Sequence, residues 1–394
     1  MHLLPCVLGS VRGVPTATDS STYDVGIAGA GQLARMTCLA AWPLGITVAV
    51  LGTPDEPAAP MAAAVVPGSW KSAEDVAALG RVCEVVTLEN EFVDADALAA
   101  VAAAGTPVRP AADDLATVQD KARQKQRLAA AGLPVLEGVV VRTPAELDAA
   151  VERLGLPVMM KARTLGYDGY GNATCTTRDE AVAEFARLDR GDGVLLEPFI
   201  EFRRELAVMI ARSTTGEVLP YPVVETVQRN HVCHEVIVPA PVSPALADRA
   251  TQVAIGAAEA AGALGVMGVE LFETVDGGIV INELAPRPHN SGHYTIEACE
   301  TSQFENHLRG ILGLPLGPTT LRAPAAAMVN ILGSRNDTAA PDRAAAMAVP
   351  GAHLHLYDKR EVRVRRKMGH VTAIGADHGS VLATARRAVA AVGL

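Results

Sequence analysis

The chain has 394 residues, enough for about two to three domains that each bury a core. Hydrophobic residues make up 49% of it and the net charge is −10, which argues against a disordered or fibrous chain and against a general nucleic-acid binder. No apolar run reaches the roughly 18 residues that a membrane span needs, so we expect no membrane partner. Six cysteines without a C-x-x-C pair favour reduced thiols and a cytoplasmic location over disulfides or zinc.

Residues 1–22 are predicted to form a flexible extension. A signal peptide is the alternative, but Pro5 interrupts the apolar run and no basic segment precedes it.

The first folded unit begins at Tyr23, in the run YDVGIAGAGQLARMTCLAAWPLGITVAVL. A strand, a glycine turn, a helix and a second strand follow one another there, which predicts a βαβ unit. In such a turn the backbone N–H groups around Gly29, Gly31 and Gln32 face outward at the start of the helix and suit a phosphate. Ala34 replaces the third glycine of the dinucleotide fingerprint, so a nicotinamide oxidoreductase is a distant alternative.

Two acids follow the next strand, in VCEVVTLENEF. Glu89 and Glu91 lie near its carboxyl end, where open α/β sheets keep their ligands, and solvated loop acids are the equal alternative. The run LATVQDKARQKQRLAAAGLPV then predicts one helix that ends near Gly132, with a domain boundary near residue 118.

A lysine and a glycine-rich loop come next. Lys161 ends the apolar strand LPVMMKAR, and a buried ammonium needs a partner, for which a nucleotide phosphate is suitable. The loop Gly166–Asn172 offers backbone N–H groups and a lid that excludes water.

A β-hairpin is predicted in GVMGVELFETVDGGIVINELAPRPHNSGH, with its turn at Val275–Gly278. Pairing across that turn brings Glu270 and Glu283 to one face with Asn282 beside them, and two carboxylates suit magnesium. Two exposed acids at a sheet rim are the alternative. After Pro315 the chain becomes rich in alanine and proline, and basic strands of a small β-rich domain follow.

This order of features resembles the ATP-grasp superfamily and, within it, the N5-carboxyaminoimidazole ribonucleotide synthetases of purine biosynthesis. The resemblance is carried by GAGQLARM, QDKARQKQ, GYDGYGN, INELAPRPHNSGH and HLYDKREVRVRRKMGH. It implies an α/β fold with a Rossmann-like pre-ATP-grasp domain over residues 23–118, a two-part ATP-grasp domain over 119–318 and a small β-rich C-terminal domain over 319–394.

The resemblance also implies an ATP site made of two basic phosphate contacts, a phosphate-covering loop, an adenine-reading hinge and a ribose-binding acid. The implied residues are Lys121, Lys161, Gly166, Tyr167, Asp168, Gly169, Tyr170, Gly171, Asn172, Glu197, Pro198, Phe199, Ile200, Glu205, Gln228, Asn282 and Glu283. Glu270 and Glu283 match the magnesium site. Tyr170 stands where relatives usually have arginine or lysine.

Arg287, His289 and Asn290 match the bicarbonate and carboxyphosphate site of the same family, and a structural salt-bridge corner is the alternative. Asp168 is the candidate for positioning or deprotonating the substrate amine.

The phosphate-bearing substrate, 5-aminoimidazole ribonucleotide, is expected to contact residues of the first and third domains: Gly31, Gln32, Leu33, Lys359 and Arg366. Lys359 and Arg366 have opposite parity on a strand, so they converge only if the strand bends. Val364–Arg365 stands between them where relatives commonly have Pro-Gly, which weakens that expectation.

The predicted activity is ATP- and bicarbonate-dependent carboxylation of 5-aminoimidazole ribonucleotide through carboxyphosphate, by a cytoplasmic homodimer that uses magnesium. One alternative is an ATP-grasp ligase that makes a different acyl phosphate, such as a formate-using transformylase. Another is a nucleotide-binding sensor without catalysis.

Overall fold

The computed structural model describes residues 22–164, 166, 171–229 and 231–394. Its first unit contains β1 (Tyr23–Ala28), α1 (Gln32–Ala41), β2 (Val48–Gly52), β3 (Ala64–Pro67), α2 (Ala73–Arg81), β4 (Cys83–Leu88), α3 (Ala95–Ala103) and α4 (Ala112–Gln119). The strands form a parallel sheet in the order β3-β2-β1-β4. They are largely apolar, as a parallel sheet covered on both faces requires. The predicted Rossmann-like unit is confirmed.

The single helix predicted to end near Gly132 is two helices. α4 ends at Gln119, and α5 (Lys121–Ala130) begins after Asp120, whose backbone is extended. The Asp120 carboxylate accepts hydrogen bonds from the backbone N–H groups of Ala122 and Arg123 and so caps α5. This break makes Lys121 the first residue of a new helix.

The second unit is a small antiparallel sheet with two helices. It contains β5 (Val139–Val141), α6 (Pro144–Leu154), β6 (Val158–Ala162), β7 (Asn172–Cys175), α7 (Arg178–Leu188) and β8 (Val194–Pro198), and its strand order is β5-β8-β6-β7. Thr143 and Thr177 cap α6 and α7, the latter with a reciprocal capping box through Glu180.

The third unit supplies the long strands that carry the predicted acids. It contains β9 (Phe202–Arg212), β10 (Val218–Pro220), β11 (Val224–Arg229), β12 (Val232–Val238), α8 (Pro244–Ala260), β13 (Gly265–Thr274), β14 (Ile279–Ala285), α9 (Thr295–Ala298) and α10 (Gln303–Leu312). α8 begins at the N-cap Ser243 and buries small alanines against β9 and β13, including Ala250, Ala254 and Ala257.

The C-terminal residues continue the same sheet. They form β15 (Ala325–Leu332), β16 (Asp337–Thr338), α11 (Arg343–Met347), β17 (Ala352–Leu356), β18 (Glu361–Val362), β19 (Lys367–Gly375) and α12 (His378–Val392). Within the described ranges, nine strands make one sheet in the order β14-β13-β9-β11-β12-β15-β19-β17, with β10 beside β9. The expected β-rich C-terminal part is confirmed, but its strands extend the central sheet because β15 pairs with β12.

α10 joins the first unit to the large sheet. Its Leu308 and Ile311 are fully buried in the core of the first unit. Its His307 contacts the Thr87 hydroxyl at 3.0 Å and accepts a hydrogen bond from Val266 N at 3.1 Å, and burial lowers the pKa of this imidazole to about 4. The two units therefore share a core.

The cysteines of the described part, Cys38, Cys83, Cys175, Cys233 and Cys299, are buried and carry free thiols. None of the helices described is both long enough and apolar enough to cross a membrane.

Candidate active site

A polar cavity enclosed by α5, β6, β8 and β14 forms the first part of the site. Glu197 lies there between two lysines, 2.7 Å from Lys125 and 2.9 Å from Lys161, and only 2% of it is exposed. Lys161 also donates to Asn282 Oδ1 at 3.3 Å. The buried lysine therefore has the partner it needs, although this partner is a carboxylate where the sequence suggested a phosphate.

Burial disfavours the charged forms of the side chains in this cavity, whereas the ion pairs between them favour those forms. Burial disfavours the Glu197 carboxylate, yet Lys161 and Lys125 together lower the pKa of Glu197. Burial lowers the pKa of Lys125 despite that pair. Lys125 was not predicted, although its position four residues after Lys121 on α5 places both lysines on one helix face.

Lys121 is held from both sides. Its backbone N–H donates to Arg163 O at 3.0 Å, and its ammonium pairs with Glu283. Burial favours the neutral amine, but Glu283 outweighs it and raises the pKa of Lys121. Arg163, just before the predicted phosphate-covering loop, also pairs with Asp120. This pair, which the sequence did not reveal, clamps the end of β6 to the start of α5.

The hairpin β13–β14 brings the two predicted metal ligands together, with Glu270 directly opposite Glu283. Burial first, then the Glu283 and Glu205 carboxylates, raise the pKa of Glu270 to about 8. Two adjacent carboxylates, one of them without a strong cationic partner, fit a hard divalent cation. Burial also raises the pKa of Glu205 to about 7, although a hydrogen bond from Gln228 opposes this change.

Arg287 and His289 lie at the end of this hairpin. Arg287 pairs with Glu91 from the first unit, and Glu91 raises the pKa of Arg287 against the effect of burial. His289 Nε2 lies 3.4 Å from Glu270 Oε1, and its Nδ1 is 2.9 Å from Ser291 Oγ. Burial, with Arg287, lowers the pKa of His289 to about 3, so the imidazole is neutral.

Side-chain amides of other segments form hydrogen bonds that hold the loop carrying these residues. Gln303 on α10 accepts from His289 N at 2.9 Å and donates to His289 O at 2.8 Å. Asn290 is paired with Asn330 on β15. Arg287 does form the structural salt bridge that was the alternative reading, and its bicarbonate role stays a prediction.

Two backbone amides of the first glycine turn are already hydrogen-bonded within the chain. The Glu89 carboxylate accepts from Gly31 N at 2.5 Å and from Leu33 N at 3.3 Å. Burial is the main cause that raises the pKa of Glu89. An internal carboxylate thus occupies the place predicted for a phosphate, because the carboxyl end of β4 lies beside that turn. Substrate contacts of Gly31, Gln32 and Leu33 remain predictions.

The basic C-terminal segment is not one continuous strand, so it has the bend that the convergence of Lys359 and Arg366 requires. β18 ends at Val362, and a turn closes with Arg366 N donating to Arg363 O at 2.9 Å. Arg365 adopts φ 69°, the left-handed conformation that the Gly of a Pro-Gly pair takes easily. The bend is therefore kept without Pro-Gly. Lys359 Nζ donates to Lys367 O at 2.8 Å and lies 5.6 Å from the centre of the Tyr357 ring.

A cavity of about 290 Å³ connects the first unit with the hairpin. Its lining includes Glu91, Lys121, Arg163, Gly166 and Glu283. The predicted phosphate lysine, metal carboxylate and loop entrance therefore face one space.

Four predicted residues of the covering loop, Tyr167, Asp168, Gly169 and Tyr170, lie outside the described residues. At its described end, Gly171 O accepts from Ala162 N at 2.8 Å, and Asn172 pairs with Lys161 in the β6–β7 ladder. Pro198 ends β8 and is followed by Phe199, which is 41% exposed, and Ile200. The adenine contacts of this hinge stay a prediction.

Three family models match the chain in succession. Residues 22–119 match a ribonucleotide synthetase preATP-grasp domain, residues 126–304 an ATP-grasp domain, and residues 326–384 a phosphoribosylaminoimidazole carboxylase C-terminal domain.

Curated relatives and solved structures resemble the chain over most of its length. N5-carboxyaminoimidazole ribonucleotide synthase of Mycobacterium tuberculosis is 43% identical over 92% of this chain and 86% of its own. The synthase of Synechococcus elongatus is 42% identical over 90% of each chain. A crystal structure of the Aspergillus clavatus synthase with ADP and 5-aminoimidazole ribonucleotide has a TM-score of 0.86 at 38% identity, over 94% of this chain and 99% of that one.

Proposed function

Because the chain belongs to the N5-carboxyaminoimidazole ribonucleotide synthase family of ATP-grasp ligases, we propose that it carboxylates 5-aminoimidazole ribonucleotide in purine biosynthesis. It is an ATP-dependent ligase that forms a carbon–nitrogen bond. The contact of His289 Nε2 with Glu270 Oε1 at 3.4 Å carries the assignment of residue roles. This contact supports the assignment because it joins a residue proposed to bind bicarbonate to a residue proposed to bind the cation.

ATP binds between the small sheet and the hairpin in this proposal. Lys121 and Lys161 exchange their carboxylate partners for phosphate oxygens, since a phosphate offers more negative charge than either glutamate. Lys125 then remains as the counter-ion of the buried Glu197. The backbone of residues 197–200 reads the adenine edge, while Glu205 and Gln228 hold the ribose side.

Glu270 and Glu283 would hold magnesium, which would neutralise charge on the transferred phosphate. With its pKa raised to about 8, the Glu270 carboxyl carries a proton at neutral pH and would lose it on holding a cation. Asn282, which now accepts from Lys161, lies beside them.

Bicarbonate attacks the γ-phosphorus of ATP, the bond to ADP breaks, and carboxyphosphate forms. Arg287 supplies positive charge there, and Glu91 fixes its guanidinium. Ser291 N donates to His289 Nδ1, so the neutral imidazole carries its proton on Nε2 and donates from that atom. Fixed donors of this kind stabilise charge that develops on oxygen.

The exocyclic amine of the ribonucleotide then attacks the carboxyl carbon of carboxyphosphate and phosphate leaves, or it attacks carbon dioxide that carboxyphosphate has released together with phosphate. Either route gives the carbamate. Asp168 takes the amine proton or positions the amine. Lys359 and Arg366 bind the substrate phosphate. The closed site matters because carboxyphosphate reacts readily with water.

The test is ADP release from Mg-ATP with and without bicarbonate and 5-aminoimidazole ribonucleotide. We expect strong stimulation by the two together, lost in Lys359→Ala when the ribonucleotide is dilute and partly restored when it is concentrated. Stimulation by formate in place of bicarbonate would support the transformylase alternative. Nucleotide binding without stimulated turnover would support the sensor.

The homodimer and the cytoplasmic location, which rest on the family resemblance and on the reduced thiols, are part of the same proposal. Sedimentation equilibrium of the full chain tests the dimer directly.

A further inference from the structure

The side-chain amide of Asn290 is held by a residue of a C-terminal strand. Asn290 Nδ2 donates to Asn330 Oδ1 at 2.9 Å, and Asn330 Nδ2 donates to Asn290 Oδ1 at 2.7 Å. Both residues are buried. Asn330 on β15 lies outside the segment that matches the ATP-grasp domain and inside the one that matches the C-terminal domain.

Asn330 also contacts a third segment, because its Nδ2 donates to Cys233 O at 2.9 Å. A backbone carbonyl only accepts, so this contact fixes the orientation of both amides. The β12–β15 ladder begins at the pair Glu235–Val329, and the Asn330 side chain therefore reaches β12 beyond the end of that ladder. Cys233 is the cross-strand partner of Gln228 on β11.

We infer that Asn330 is a positioning residue for the bicarbonate step and acts through Asn290, an inference that rests on the proposed function. The pair uses the Asn290 oxygen and one of its N–H groups, which leaves one N–H for an anion. Since the amide is already fixed, no reorientation is needed when bicarbonate binds. Because Asn290 follows His289 directly, the same pair also limits movement of the imidazole.

A positioning role and a purely structural role of Asn330 predict different fates for carboxyphosphate. When the Asn290 side chain is not held, carboxyphosphate forms in a position from which water attacks it in competition with the substrate amine. ATP is then consumed without carbamate formation. A purely structural contact lowers both rates together and leaves their ratio unchanged.

The experiment measures ADP released per 5-aminoimidazole ribonucleotide consumed, with the KM for bicarbonate and for ATP. Asn330→Asp keeps the acceptor for Asn290 Nδ2 and removes both donated hydrogen bonds. We expect the ADP ratio to rise above that of the wild type, and the KM for bicarbonate to rise about tenfold while the KM for ATP stays within about twofold.

Thr372→Val is the matched control. Thr372 on the neighbouring strand β19 is fully buried, and its hydroxyl has no hydrogen-bond partner among the described residues. Loss of the Thr372 hydroxyl should leave the ratio of ADP released to 5-aminoimidazole ribonucleotide consumed at the wild-type value.

A ratio and a bicarbonate KM that stay at wild-type values in a folded Asn330→Asp would overturn the inference, whatever happens to its melting temperature. Should that variant not fold, Asn330→Ser, which keeps one donor, decides by the same ratio. A wild type without bicarbonate-dependent ADP release contradicts the proposed function itself, so the two failures are distinguishable.

Discussion

The two walls of the candidate ATP cleft treat buried charge in opposite ways. On the side of β6 and β8, Glu197 lies between Lys125 and Lys161, which hold its pKa low. On the hairpin side, Glu270 faces Glu283 and a neutral His289, and its pKa rises to about 8. In the first wall each buried charge has an oppositely charged partner within the chain, and these pairs support the fold. The second brings two carboxylates together, as the cation site proposed above requires.

Glu270→Gln should give the largest effect and the clearest contrast. Without the second carboxylate we expect turnover with magnesium to fall on the order of 10²- to 10³-fold. The melting temperature without magnesium should stay nearly the same, because a pKa of about 8 keeps Glu270 largely protonated at neutral pH and glutamine is also uncharged. Steady-state ADP release and thermal unfolding measure the two effects.

Glu273→Gln on the same strand is the control for that substitution. Glu273 is more fully buried than Glu270 and is paired with Arg204 at 2.7 Å, so its loss should lower the melting temperature and spare turnover. A large loss of stability in Glu270→Gln, with activity kept, would contradict the comparison of the two walls.

Glu197→Gln tests the wall formed by β6 and β8, in which the buried Glu197 pairs with Lys125 and Lys161. It leaves two buried lysines without their shared carboxylate, so we expect the free energy of unfolding to fall by about 3 kcal/mol. Urea unfolding at neutral pH measures this change. An equally stable variant would mean that water or backbone groups already solvate Lys125 and Lys161.

His307 provides a buried titratable group outside both walls. Its pKa is about 4 in the folded chain and about 6.5 ordinarily, so below pH 6.5 the unfolded chain binds a proton that the native chain does not. This contribution to stability is present above pH 6.5 and is lost as the pH falls towards 4, by about 1.4 kcal/mol per pH unit.

His307→Gln keeps an amide for Thr87 and Val266 and removes that proton. Urea unfolding at pH 7, 6 and 5 should therefore show a shallower loss of stability than in the wild type. An identical pH dependence would show that His307 does not remain neutral when buried.

The smallest expected effect on the free energy of unfolding comes from Arg365. It distinguishes the contribution of the backbone conformation of this residue from that of its charge. Arg365→Gly relieves a left-handed residue, and we expect a gain of about 0.5–1 kcal/mol in the free energy of unfolding. Arg363→Gly removes the same charge from the same segment at a position that is not left-handed, and should give no gain. Equal effects in the two variants would assign the change to charge.

Much of this architecture is readable from the sequence. Alternating and continuous apolar runs predict the strands, and the turn residues at Val275–Gly278 predict the hairpin that carries Glu270 and Glu283. Those features depend on local chemistry. The ATP-grasp fold and the ligase class were predicted from motifs and are confirmed by the comparisons.

The remaining features depend on contacts between distant segments. The pairing of β15 with β12 and the approach of Glu89 to the first glycine turn cannot be read from periodicity, because neither partner carries a local mark of the other. The break at Asp120 was missed because residues of high helix propensity surround it, although aspartate is a good cap. The pairs Arg163–Asp120 and Asn330–Asn290 were missed for the same long-range reason.

The continuous sheet has a consequence for synthesis on the ribosome. β12 is complete at Val238, but its neighbour β15 ends only at Leu332, about ninety residues later. At the usual speed of translation, roughly 5–20 residues per second, the growing chain presents an open strand edge for several seconds. A nascent chain that stops after residue 318 would keep that edge exposed and invite pairing with other chains. The last strands therefore cover the β12 edge in the finished molecule.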